Sequence, residues 1–345
     1  MVNSAGSYDI FIATYALREV PKVEAINTLS IGGSRDDTFK SVSACKDGGY
    51  YALMEFRGNI QVGDATFKAS DYGNALIIKY NKSREVEWIN SFEDDYSNTS
   101  DAIHPNSICT TKDGGCVVVG DINWGVIDLG GFILNNDNND YVSFVVKYSS
   151  IGNIEWVKTI GGSNYEHIQK VCPTNDGGCV VVGKYKSDNL SVGKNVLTNS
   201  GGYDGIIIKY NSFGVEEWVN SINGAGDDQI NSICTTLEGE FVVIADFTGS
   251  STNVSRSTVH STLNKTQMII KYNEDGEVVW LKSPIGNENT ELKDICETND
   301  GGYVIVGHSH DSFQIDDYQV VNHTWYYGVV LKINSIGEVE WALPF

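Results

Sequence analysis

The chain has 345 residues, 41% hydrophobic and 20% charged, which predicts a packed core rather than general disorder. Its formal charge of −21 excludes the basic footprint that a nucleic-acid backbone or an anionic membrane surface needs, and on composition alone it serves solubility. No apolar run approaches the ~18 residues of a membrane span, so no direct membrane insertion is expected.

At the start, "MVNSAGSYDIFI" lacks the basic and apolar regions of a secretory signal, so either the protein stays inside the cell or upstream sequence has been removed. The first element reads as a hairpin over "IFIATYALREVPKVEAIN", with Ala25 where later units carry Trp. Its lead-in, "NSAGSYDIFIATY", matches "NSGGYDGIIIKY" at 199–210, so the chain begins in mid-unit.

A second kind of hairpin follows: "SVSACKDGGYYALME" at 41–55, "SICTTKDGGCVVVG" at 107–120, "KVCPTNDGGCVVVG" at 170–183, "SICTTLEGEFVVIA" at 232–245 and "DICETNDGGYVIVG" at 294–307. "DGG" supplies the local hydrogen bond and the positive φ of a tight turn, and the Val run after it predicts a strand buried on both faces. Between these hairpins lie runs such as "ALIIKYN" (75–81), "SFVVKYS" (143–149) and "GIIIKYN" (205–211), each leading through a short turn to a Trp. Trp88, Trp156, Trp218, Trp280 and Trp341 are spaced 68, 62, 62 and 61 residues apart.

One unit of about 60 residues is thus a four-stranded antiparallel sheet without helix. Alone it cannot bury both apolar faces; repeated radially, each sheet covers its neighbour, which predicts an all-β fold, a β-propeller forming one domain over 1–345. Six ring positions, one incomplete, are favoured, with five blades as the alternative. The recurrent Trp then fills the same gap between blades each time. Seven Cys, five of them at one repeat position, read as small buried thiols rather than a disulfide framework.

Candidate binding residues are sought in the connections that do not repeat, 57–74, 121–143, 184–204, 247–267 and 308–327. Trp124, Trp325 and Tyr326 are loop aromatics of the kind that stack on sugars or anchor a protein. Asp137 and Asp140 in "NNDNND" are hard oxygen donors of the type calcium takes, without an EF-hand pattern; no other cofactor is indicated. His308 and His310 in "GHSHDS" share one face of a strand, as a metal pair would. The linkers with Asp36, Asp37, Asp227 and Asp228 read as turn-forming. No nucleophile, zinc or phosphate-loop motif is present.

The segments "SIGGSRDD", "TIGGSNYE" and "SINGAGDD", each followed by a strand, a D/N-G turn and a "VVVG" strand, and later "YDGIIIKYNSFG", resemble the bacterial β-propeller repeat family. The likeness runs from about residue 8 to 342; the added Trp and "DGG" depart from the family pattern. The resemblance implies a secreted or cell-surface bacterial propeller, often a module of a longer chain, and carries over no catalytic residue.

The inner strands, read as "SVSAC", "SICTT", "KVCPT", "SICTT" and "DICET", bear almost no His or carboxylate. That reading favours a non-enzymatic module for a glycan or protein partner over a polysaccharide hydrolase or lyase with carboxylates in a central channel.

Overall fold

The computed structural model describes residues 10–16, 24–33, 35–69, 73–92, 103–123, 125–129, 131–136, 141–285, 289–310, 312–315, 317–321 and 326–344. Every regular element among them is a β-strand. Five four-strand antiparallel units are the blades of a five-bladed β-propeller, the alternative count. The N-terminal hairpin, Ile10–Ala16 with Glu24–Ile31, forms its own two-stranded sheet and completes no sixth blade among the described residues.

The first strands of blades one to five are Asp37–Ala44, Ile103–Thr110, Glu166–Pro173, Asp228–Thr235 and Thr290–Glu297. Contact density divides the chain into two compact units, Met1–Ile108 with Ile122–Asn139, and Cys109–Asp121 with Asp140–Phe345. In the first unit, Ala52, Met54, Phe56, Leu76 and Ile78 of blade one form the core. In the second unit each core cluster joins two successive blades. Val117, Val119 and Val145 meet Val181, Ile206 and Ile208; Val180, Val182 and Ile207 meet Val243, Ala245 and Ile270; Val242, Ile244 and Ile269 meet Ile305, Val329 and Leu331.

The repeated letters each have a local cause. In "DGG" the Asp carboxylate accepts from the amide of the second Gly (Asp113–Gly115 2.9 Å, Asp176–Gly178 3.0 Å), and the first Gly has positive φ (83° at Gly114, 91° at Gly177). The same Asp pairs with the buried Lys of the third strand, and so does the Glu just before the Trp. Lys147 meets Asp113 and Glu155 at 2.9 Å each, and Lys209 meets Asp176 and Glu217 at 3.1 and 3.0 Å. Blade four breaks the motif and keeps the ion pair: "LEGE" puts Glu240 where the second Gly would stand, and Glu240 binds Lys271 at 2.5 Å.

The Trp rings seat on the next blade. Trp156, Trp218 and Trp280 donate from Nε1 to the carbonyls of Ser212, Glu274 and Ser335. Their rings lie over Gly214, Gly276 and Gly337, where any Cβ would fall 2.8–3.3 Å from the indole. Trp88 meets Tyr51 at 5.5 Å between centroids, and Trp341 is 38% exposed. All seven Cys are free thiols, but burial is uneven: Cys109, Cys116, Cys172 and Cys179 are buried, Cys45 and Cys234 partly so, and Cys296 is exposed.

The long connections differ from the expectation of divergent loops. Each contains a short hairpin, Asn59–Lys68, Gly125–Asn136, Asn189–Thr198, Ser251–His260 and Phe313–Val320. Alternate residues such as Ile60 and Val62, Leu190 and Val192, or Phe313 and Ile315 are buried. The hairpin at Ser251–His260 pairs directly with the fourth strand of blade three, Ile222 opposite Val254. These segments are covers for a blade edge.

Candidate functional site

Strand alternation sends Glu166 and Ile168, Asp228 and Ile230, Thr290 and Leu292 inward, and turns His167, Gln229 and Glu291 the other way. A β-bulge then interrupts the pairing of the first with the second strand at one position in each of these blades. It falls between Ile168 and Lys170, between Ile230 and Ser232, and between Leu292 and Asp294. The extra residue at each bulge is Gln169, Asn231 or Lys293. A bulge re-aims a side chain that regular pairing would line up with its neighbours, and bulges gather beside functional sites. The scaffold repeats here while the side chains do not.

Gln169, Gln229, Asn231, Gln267, Glu291 and Lys293 surround a polar cleft of about 120 Å³, with Lys265 and Leu292 completing its wall. Asp246, 2% exposed, anchors one side: it accepts from Gln229 Nε2 (3.3 Å) and Asn231 Nδ2 (3.1 Å) and pairs with Lys265 (2.8 Å). Gln229 Oε1 accepts from Lys184 (3.2 Å), and Gln267 Oε1 accepts from the Leu292 amide (3.1 Å). Those bonds fix which way the amides face. Among the described residues no hydrogen-bond partner meets the Asn231 oxygen or either end of the Gln169 amide, while Gln267 is buried.

Glu291 closes the other side, bonded to Lys293, 3.3 Å from Lys265 and 3.6 Å from His308. The Lys293 bond, helped by Lys265, outweighs burial and holds Glu291 down to about 2. Burial, with Lys293, Lys265 and His310 nearby, lowers His308 against the pull of Glu291. Burial alone would depress Lys265, but Asp246 and Glu291 raise it. The carboxyls whose pKa rises, Glu166, Asp204 and Asp228, are fully buried on the core side. The side chains that line the cleft are mostly polar.

Of the residues singled out by sequence, Tyr326, His308 and His310 come together. Tyr326 is 59% exposed, and its ring centroid lies 5.1 Å from His308 and 5.0 Å from His310. No group of three His, Cys, Asp or Glu among the described residues could hold a metal ion. Trp124, Trp325, Asp137 and Asp140 lie outside the described residues. Asp37 accepts from the Gly33 amide four residues back (2.6 Å), as a turn would require, whereas Asp227 accepts from the distant Tyr203 amide (3.0 Å) and Asp228 is a buried strand residue, so neither of these two is turn-forming.

The near-absence of His and carboxylate read from the inner strands is corrected. Those strands begin up to four residues earlier than the apolar runs that marked them, and the missed halves, "EHIQ", "DQIN" and "TELK", hold the cleft residues. Blade one repeats the pattern within the first unit: Lys40, at its bulge, pairs with Glu55 at 2.9 Å, and His104 stands 3.7 Å from Glu55.

No protein-family model matches the chain, and no curated protein sequence matches it. Among solved structures it is similar to a protein of unknown function from Dyadobacter fermentans, at 10% identity and a TM-score of 0.35, covering 89% of this chain and 93% of the other. It is also similar to the extracellular domain of a one component system from B. thetaiotaomicron, at 8% identity and a TM-score of 0.17, covering 89% of this chain and 60% of that one. Scores this low carry no argument about function, and the five-bladed architecture rests on the chain's own strands.

Proposed function

We propose that the protein is a non-enzymatic binding module that takes a glycan in the cleft at the bulged first strands of blades three to five. The observation that carries this reading is the set of side chains at the three bulges, Gln169, Asn231 and Lys293, which differ on a backbone that repeats. Amides with one end tied and the other free suit hydroxyl groups, which both donate and accept. Tyr326 adds an exposed aromatic face beside His308, Trp325 stays in the proposal as a further stacking residue, and Trp124 stays as a stacking candidate of the first unit, apart from this cleft. A secreted or surface setting, within a longer chain, fits a glycan reader and belongs to the same proposal.

A glycan array with the wild-type chain identifies the ligand. Asn231→Ala and Gln169→Ala are then expected to weaken binding roughly tenfold each, the loss of one or two hydrogen bonds. The melting temperature stays at the wild-type value in Gln169→Ala and falls slightly in Asn231→Ala, which loses a hydrogen bond to buried Asp246. Unchanged affinity in both variants, or turnover of the bound glycan, would overturn the proposal.

A further inference from the structure

Among the described residues ten lysines stand within 4.0 Å of a carboxylate. The third-strand lysines Lys79, Lys147, Lys209, Lys271 and Lys332 each pair with one or two acids. Lys184 and Lys186 do not: among the described residues neither has a carboxylate within 4.0 Å. Instead both ammonium groups stand over the ring of Tyr203, at 4.6 and 5.1 Å from its centroid. Tyr203 meets Tyr165 edge-on at 5.6 Å, and Tyr165 meets Tyr141 at 4.5 Å. The three phenols are half-buried and form one continuous aromatic surface.

The acids around this surface are already engaged. Asp121 accepts from Ser143 (2.7 Å) and is bound to His167 Nδ1 (2.6 Å). Glu166 accepts from Ser187 and from the Gly162 amide, and Asp227 from the Tyr203 amide. His167, held by Asp121 through one nitrogen, keeps Nε2 for another partner; Lys184 is its cross-strand neighbour. Two unneutralised cations on an aromatic shelf, in a chain of charge −21, are complementary to an anion with a flat apolar side. A protein ligand would need an apolar anchor pocket, which the shelf does not offer.

We propose that Tyr141, Tyr165 and Tyr203 with Lys184 and Lys186 form a subsite for an acidic sugar, its carboxylate on the two lysines and its ring face on the tyrosines. This rests on the glycan reading of the cleft, to which Lys184 connects it through Gln229. Burial, reinforced by Asp121 and the neighbouring tyrosines, raises Tyr165 to about 12, so its hydroxyl stays a donor at neutral pH.

The test is calorimetric titration of the full chain with uronic-acid oligosaccharides, each beside its carboxyl-reduced counterpart, at low and high salt. The wild type is expected to prefer the acidic form by about tenfold, a preference that salt erodes. In Lys186→Met, which leaves the Lys184–Gln229 bond in place, the preference falls severalfold while binding of the reduced sugar and the melting temperature stay unchanged, and in Lys184→Met/Lys186→Met the preference disappears. Equal affinity of the wild type for both forms, no binding of any uronate, or a preference that survives in the double variant would overturn the subsite. So would a poly-glutamate peptide that competes as well as the uronates. Weaker binding of both sugars in Asn231→Ala with the tenfold acidic preference intact counts for the subsite and separates it from the cleft.

Discussion

Removing Asp113 and Glu155 together is expected to destabilise the protein by about 3–5 kcal/mol, against ~1 kcal/mol for either change alone. Lys147 is 1% exposed, and its ammonium is held by those two carboxylates at 2.9 Å and by the Tyr148 carbonyl at 3.0 Å. Burial depresses the pKa of Lys147, and the two acids more than offset that, so it ends raised. With one acid left the charge stays compensated. With neither, a buried ammonium faces a single carbonyl dipole, and the chain must either hold an unpaired charge or release the proton. Urea denaturation of the singles, the double, and the double combined with Lys147→Met checks this. The triple variant should recover most of the loss; a double variant no worse than the summed singles contradicts the account.

Asp228→Asn is expected to stabilise the protein at pH 8 by roughly 2–4 kcal/mol and to change little near pH 4. Asp228 is fully buried, and neither carboxylate oxygen completes a hydrogen bond, although Thr252 and the Gly224 amide stand near. Burial first, then the adjacent Asp204, pushes it from 3.8 up to about 7; Asp204 itself is raised to about 6, chiefly by burial. The folded state therefore holds this proton more tightly than the unfolded chain does. The contribution is whole below about pH 4 and is lost as pH rises through 7. The two aspartates titrate as a pair, so the transition spreads over both steps. Melting temperatures of wild type and variant from pH 4 to 9 measure the difference directly. Parallel curves would show that Asp228 ionises without cost.

The blades were legible in the sequence because their constraints are local and repeat. "DGG" needs an acceptor and a left-handed Gly inside one turn, and the Trp needs a Gly in the next blade's turn. The Lys partnership was present at constant spacing in Lys147 and Glu155, Lys209 and Glu217, Lys332 and Glu340, yet it is a contact between strands that alternation alone does not announce. The cleft was hidden for a related reason. Gln169, Asn231 and Lys293 are polar letters ahead of an apolar run, and a bulge is invisible to a period of two. The edge hairpins were missed because strands of three or four residues bury only two side chains each. His308, His310 and Tyr326 were readable as separate signals but not as neighbours, since only the fold brings Tyr326 back against the second strand of blade five.

The central claim is that the unrepeated side chains of the first strands, rather than the short edge hairpins, receive the ligand. Hydrogen exchange with and without a saturating array-identified glycan tests it most directly. The account predicts added protection in 166–173, 228–235 and 290–297, with 189–198 and 251–260 unchanged. Protection confined to those two hairpins, with the first strands exchanging as in the free protein, would contradict it.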